Sequence, residues 1–128
     1  MLANLRIREA QVLFRTREYS GAYYLAGYSI ECALKACIAK KFMKHEFPDR
    51  KTVLESYTHD LIKLAKLAGL ESELEGDTDQ SLKKNWDLAR GWSEESRYRV
   101  IEQPASKEMI NAIIQRVHGV LPCIKRRW

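Results

Sequence analysis

The stretch Tyr19-Ser20-Gly21-Ala22-Tyr23-Tyr24-Leu25-Ala26-Gly27-Tyr28-Ser29-Ile30-Glu31-Cys32-Ala33-Leu34-Lys35-Ala36-Cys37-Ile38, inside a periodic segment over 18–42, decides how the rest of the chain reads. Tyr19, Ala22, Tyr23, Ala26, Ile30, Ala33, Leu34, Cys37 and Ile38 recur at steps of three and four, which puts them on one face of an α-helix. Leu25, Tyr28 and Cys32 add a second apolar flank, so the helix is expected to be buried on more than one side and central to a bundle. Gly21 and Gly27 each weaken a helix by roughly 1 kcal/mol against Ala, or let a neighbouring helix come close. Glu31 and Lys35 interrupt the apolar run, which is barely long enough to span a bilayer, so no membrane segment is expected.

Outward from this helix, residues 3–16 read as a first helix with Leu5, Val12, Leu13 and Phe14 toward the core. Residues 44–57, with Pro48-Asp49, read as a connection containing a helical turn near Val53. Thr58 is placed to cap the next helix, Asp60 suits the positive end of its dipole, and Tyr57 can staple onto Ile62. The stripe Leu61, Leu64, Ala65, Ala68 then stops at Gly69. Residues 71–79 hold five acids and no base and read as solvated. A helix over 78–91 presents Leu82, Trp86 and Ala89, an irregular segment covers 92–104, and a last helix runs from about Ala105 through Ile124, kinked by Pro122. No segment alternates with period two for long enough to make a strand. The expectation is all-α: one domain over 1–128, an up-and-down bundle of four to five helices.

Composition agrees with that reading. The chain has 128 residues with 45% apolar and 30% charged residues, which excludes a disordered tail, and only 6 Gly and 3 Pro leave little for the turns of a β-sandwich. Three cysteines make an odd count for a disulfide framework, and Arg6, Arg8 and Arg15 do not fit a secretory leader. A reduced, cytoplasmic protein is expected. The 22 basic and 17 acidic residues give a net charge of +5, spread unevenly: 1–51 and 89–128 are basic and 52–88 is acidic. Such a distribution permits binding to nucleic acid and is equally read as solvated helix faces.

The motifs exclude more than they assign. Cys32 and Cys37 point to different faces of one helix, Cys123 stands alone, and no C-x-x-C or H-E-x-x-H spacing occurs, so buried structural thiols and no metal are expected. No Gly-rich phosphate loop, nucleophile elbow or dinucleotide fingerprint is present, and no cofactor is expected. Glu31 and Lys35, one turn apart on the most apolar helix, form an i,i+4 pair. Its plain reading is a partly buried ion pair of little net stability; its sharper reading is a polar patch kept in a cleft or dimer seam. Residues 90–99 hold Arg90, Arg97 and Arg99 with Trp92 and Tyr98, and guanidinium groups match phosphate while aromatic rings stack on bases. Glu94 and Glu95 offset part of that charge, and a packing corner would carry the same residue types. His59, beside the expected cap, reads as a surface residue or as a weaker member of the site.

Three pieces together resemble the HEPN domain family (higher eukaryotes and prokaryotes nucleotide-binding). They are the segment over 22–35, the helix start Thr58-His59-Asp60-Leu61, and Ser96-Arg97-Tyr98 before the last helix. The resemblance spans nearly the whole chain. It implies an up-and-down helical bundle that dimerises, with a polar groove at the dimer seam, and a small nucleotidyltransferase as a frequent partner in toxin–antitoxin-like pairs. Many members of the family are ribonucleases with an Arg, four to six residues, then a His that serves as acid or base. None of His45, His59 and His118 has an Arg at that spacing, and Arg90 is followed there by Glu95, Ser96 and Arg97. The resemblance therefore implies a non-catalytic, homodimeric binder of nucleotide, nucleic acid or the partner enzyme. Arg90, Arg97 and Tyr98 would make the contacts, Glu31 and Lys35 would support them, and His59, Arg99 and Trp92 would be weaker contributors. The alternatives are a divergent ribonuclease toxin using Arg97 with a carboxylate such as Glu94, and a structural subunit completing a nucleotidyltransferase pocket.

Overall fold

A computed structural model describes residues 1–44 and 50–128. Among these residues the chain forms α1 Leu2–Arg15, α2 Tyr19–Lys44, α3 Arg50–Glu55, α4 Leu61–Leu67, α5 Glu71–Glu75, α6 Gln80–Ala89, a 3₁₀ turn Glu94–Tyr98, α7 Gln103–Ile114 and α8 Val120–Lys125, with no strand. The all-α bundle expected from periodicity is the observed fold, with α1, α2, α6 and α7 as its longer members. His45, Pro48 and Asp49 lie outside the described residues. No helix among the described residues is long and apolar enough to cross a membrane.

The central helix is α2, which packs against α1, α4, α7, α8 and the 3₁₀ turn. Ala22, Ala26, Ile30, Ala33, Leu34, Cys37 and Ile38 are buried along it. Complete burial of Ile30 and Leu34 contributes roughly 2 kcal/mol each. Gly21 does admit a neighbouring helix: a Cβ there would fall 3.2 Å from Leu13 Cδ1 of α1. Gly27 admits an indole instead, and a Cβ at this position would collide with the Trp92 ring.

Several local expectations are corrected. The buried face of α1 is Ala3, Ile7 and Ala10, with Leu13 and Phe14 partly buried, while Leu5 and Val12 are exposed. The alanines let α1 lie close to α2, so the smaller residues face inward. The cap of α4 is Asp60, whose Oδ1 accepts from the amides of Ile62 at 2.9 Å and Lys63 at 3.2 Å. Thr58 acts one step earlier, its Oγ1 accepting from the Asp60 amide at 3.1 Å. Asp60 wins because a carboxylate meets both orphan amides and the positive dipole end. Tyr57 and Ile62 lie at the surface and close no buried staple. Gly69 ends the turn after α4 at φ +77°, a conformation that favours glycine.

The acidic stretch 71–79 is not wholly solvated, because fully buried Leu74 anchors α5 to the core. The last helix is two. The Gly119 amide donates to Gln115 O at 2.8 Å, and a Cβ on Gly119 would collide with the carbonyls of Gln115 and Ile113. The chain therefore turns after Ile114, which leaves Val117 exposed. Pro122 kinks nothing: it sits in the first turn of α8, where an amide hydrogen is not needed.

Candidate functional site

Residues Tyr24, Tyr28, Glu31 and Lys35 follow one another up α2 at steps of four, three and four. At about 100° per residue they fall within roughly 60° of arc, so they form one narrow stripe along the helix. Two separate pieces of chain border it. The segment carrying Trp92 and the 3₁₀ turn lies at its N-terminal half, tethered where the Ile101 amide donates to Ser20 Oγ at 2.8 Å. The loop before α4 lies at its C-terminal half, where His59 of that loop meets Glu31 at 2.7 Å.

The C-terminal end is a carboxylate held between two bases. Glu31 is only 2% exposed, on a helix whose neighbouring positions are apolar. Its Oε1 accepts from Lys35 Nζ at 2.9 Å and from His59 Nδ1 at 2.7 Å. Its Oε2 is buried and has no hydrogen-bond partner among the described residues. A buried carboxylate is tolerated only when charge and hydrogen bonds compensate it, and here the compensation falls on one oxygen. Lys35 and His59 are 36% and 49% exposed at their side chains, so both reach from the buried anion to solvent. The bond at Nδ1 fixes the imidazole and leaves Nε2 without a partner among the described residues.

Tyr28 and Cys32 continue the network on the same face. Tyr28 is shifted upward by the electrostatic influence of Cys32, then by burial and by Glu31. Burial pushes the Cys32 thiol up, partly offset by the Tyr28 hydrogen bond.

The N-terminal end is aromatic and cationic. Tyr24 stacks on Tyr28 with centroids 6.1 Å apart and rings 10° from parallel, and it meets the Trp92 ring at 5.8 Å. Trp92 is buried against Gly27, with its Nε1 unpartnered among the described residues. The Arg97 guanidinium lies 4.9 Å over the Tyr98 ring. Hydrogen bonding to Tyr98, that ring's electrostatic influence, and a further bond to Tyr24 raise its pKa above the ordinary arginine value. Arg97 is exposed and Tyr98 is 75% exposed, so a cation and a flat ring face solvent together.

Of the residues singled out in the sequence, the structure brings Glu31, Lys35 and His59 together at one end of the stripe. It places Arg97, Tyr98 and Trp92 at the other. Arg90 is engaged elsewhere: Nη1 donates to Glu75 Oε1 at 3.0 Å and Nε lies 3.4 Å from Asp87. Arg99 is exposed just beyond the 3₁₀ turn. Tyr24 and Tyr28 were not read as site residues from the sequence, although their steps of four and three leading to Glu31 were the signal that could have found them.

A family model for the HEPN domain matches residues 2–127, nearly the whole chain. The chain belongs to the HEPN family. Searches of curated proteins and of solved structures give no match. Within this HEPN domain, a module of a nucleotide- and RNA-related family, two of the three histidines are committed to carboxylates. His59 bonds Glu31, and His118 Nδ1 lies 2.8 Å from Asp79 Oδ2. Among the described residues no group of three His, Cys, Asp or Glu side chains could hold a metal. A surface depression of about 680 Å³ adjoins the His59 end of the HEPN stripe through Tyr57 and Thr58 and carries Lys63 and Lys66. Another, of about 630 Å³, lies between α6 and α7 and mixes Lys84 with Asp87 and Glu108.

Proposed function

We propose that this HEPN chain is a non-catalytic binding module for nucleotide or RNA, working as a homodimer, with the α2 stripe as its ligand site. One observation carries the reading. Arg97 lies over the Tyr98 ring in the 3₁₀ turn that packs on α2, beside the aromatic run Tyr24, Tyr28 and Trp92, which puts a phosphate-matching cation next to rings that stack on bases. Exposed apolar positions on α1 support a second copy: Leu2, Leu5 and Val12 fall on one side of that helix. The small nucleotidyltransferase that the family resemblance implies is a partner to be sought by co-purification.

The test is fluorescence anisotropy with a labelled single-stranded RNA, comparing the wild type with Arg97→Ala. A loss of about tenfold in Arg97→Ala at unchanged helicity is expected, equivalent to about 1.4 kcal/mol. Equal binding by both proteins would remove Arg97 from the site, and no binding by either would remove the nucleic-acid reading. Light scattering at micromolar concentration is expected to give twice the 14.9 kDa chain mass.

A further inference from the structure

The two ends of the α2 stripe are both able to meet anions, and they stand well apart. Arg97 lies over Tyr98 in the 3₁₀ turn, which packs on α2 just after Trp92 meets Tyr24, and the Lys35–His59 pair is anchored on Glu31. At 1.5 Å rise per residue, Tyr24 to Glu31 spans about 10 Å and Tyr24 to Lys35 about 16 Å. Between them lies the partly exposed Tyr28 ring, stacked on Tyr24. Each end keeps unused donors. Lys35 Nζ gives one hydrogen bond to Glu31 out of its three, and His59 Nε2 has no partner among the described residues.

A single nucleotide carries its phosphates at one end and cannot grip both sites. A stacked single strand advances about 3.4 Å per nucleotide, so the gap corresponds to about three to five steps from phosphate to phosphate. We infer that the stripe is a track for a single-stranded segment of about four to six nucleotides, with Arg97 on one backbone phosphate, Lys35 and His59 on another, and Tyr28 beneath an intervening base. Buried Glu31 is the organising element: its ion pair and hydrogen bond hold Lys35 and His59 side by side at the surface, and its unpartnered Oε2 marks a charge the fold retains without fully satisfying. The inference rests on the proposed nucleic-acid reading and adds to it the length of the ligand and the second grip.

The experiment is a length series measured by anisotropy or calorimetry: UMP, ATP, and uridine oligomers of two, four, six and eight nucleotides, with the thymidine hexamer and a short duplex as further probes. Affinity is expected to climb until four to six nucleotides and then level, with the hexamer at least tenfold tighter than UMP or ATP and tighter than the duplex. The logarithm of affinity should fall with the logarithm of salt with a slope magnitude of about 1.4, at roughly 0.7 for each of two single-strand phosphates. Lys35→Gln and His59→Gln keep a polar side chain near Glu31 and guard against simple unfolding. Lys35→Gln and Arg97→Ala should each weaken the hexamer several-fold and each lower the slope by about 0.7. UMP or ATP binding as tightly as the hexamer, or a hexamer affinity indifferent to both Lys35→Gln and His59→Gln while Arg97→Ala abolishes it, would overturn the track and leave the binding module standing. Absence of binding by every probe would overturn the module itself.

Discussion

His59 Nδ1 and Glu31 Oε1 lie 2.7 Å apart, joining a loop residue to a buried helix residue 28 positions away. The pair fixes where the chain enters α4, because Asp60, the cap of that helix, follows His59 directly. It also gives the buried carboxylate its second donor beside Lys35. Removing the imidazole therefore strips a partner from an anion that cannot reach water. A charged hydrogen bond contributes about 1.5–3 kcal/mol, and His59 is half exposed with Lys35 remaining, so His59→Ala should cost about 1–2 kcal/mol. Urea unfolding of the two proteins measures it; a loss indistinguishable from zero would show that the bond does not hold the loop.

Two glycines on α2 separate close packing from helix propensity. Gly27→Ala drives a methyl into the Trp92 ring and should destabilise the fold by about 1–3 kcal/mol, with a change in tryptophan emission. Gly21→Ala meets only the end of the Leu13 side chain, and its gain in helix propensity should keep the change within about 1 kcal/mol of zero. Denaturation midpoints of both variants, measured together, check the contrast.

Much of this was legible in the sequence, and the rest was not for identifiable reasons. The buried face of α2 and the bundle followed from three-and-four spacing, which reports burial directly. The inward face of α1 was misread because Ala3 and Ala10 carry little hydrophobic signal beside Leu5 and Val12, yet close helix approach selects the smaller residues. The break at Gly119 was hidden because apolar residues continue in helical register on both sides of the turn. Glu31 and Lys35 stood out as charges on an apolar helix. Their meeting with His59 did not, since it depends on how the loop before α4 crosses α2.

Asp79 supplies a pH dependence. It caps α6 through the Leu82 amide and accepts from His118, and these bonds, the amide first, hold its carboxyl below the usual aspartate range. A depressed folded pKa gives stability that is present above the unfolded value and lost as pH falls through the folded one. Below about pH 4, the wild type should therefore lose more of its stability than Asp79→Asn does, each relative to pH 7. Urea midpoints of both proteins at pH 7 and pH 3 test this; parallel losses would contradict it.

Thiol chemistry reports on the core. Burial pushes the thiols of Cys37 and Cys123 up from their ordinary value, and both are almost fully buried. Cys32 is raised for the same first reason but is partly exposed. Thiol-reactive reagent at pH 7 should label Cys32 first, and Cys37 and Cys123 at the rate of unfolding. Mass spectrometry of the labelled peptides gives the order, and early labelling of Cys37 or Cys123 would contradict the packing of α8 on α2.

Whether ligand meets the α2 stripe is decided by nuclear magnetic resonance titration of the ¹⁵N-labelled protein with a uridine hexamer. Progressive shifts are expected at the Arg97 Nε–H, the Trp92 indole N–H and the backbone amides of Tyr28, Lys35 and His59, with the α6–α7 groove around Lys84 and Gln115 unmoved. Shifts confined to that groove, with Arg97, Trp92 and His59 unperturbed at saturation, would contradict a ligand site on the stripe.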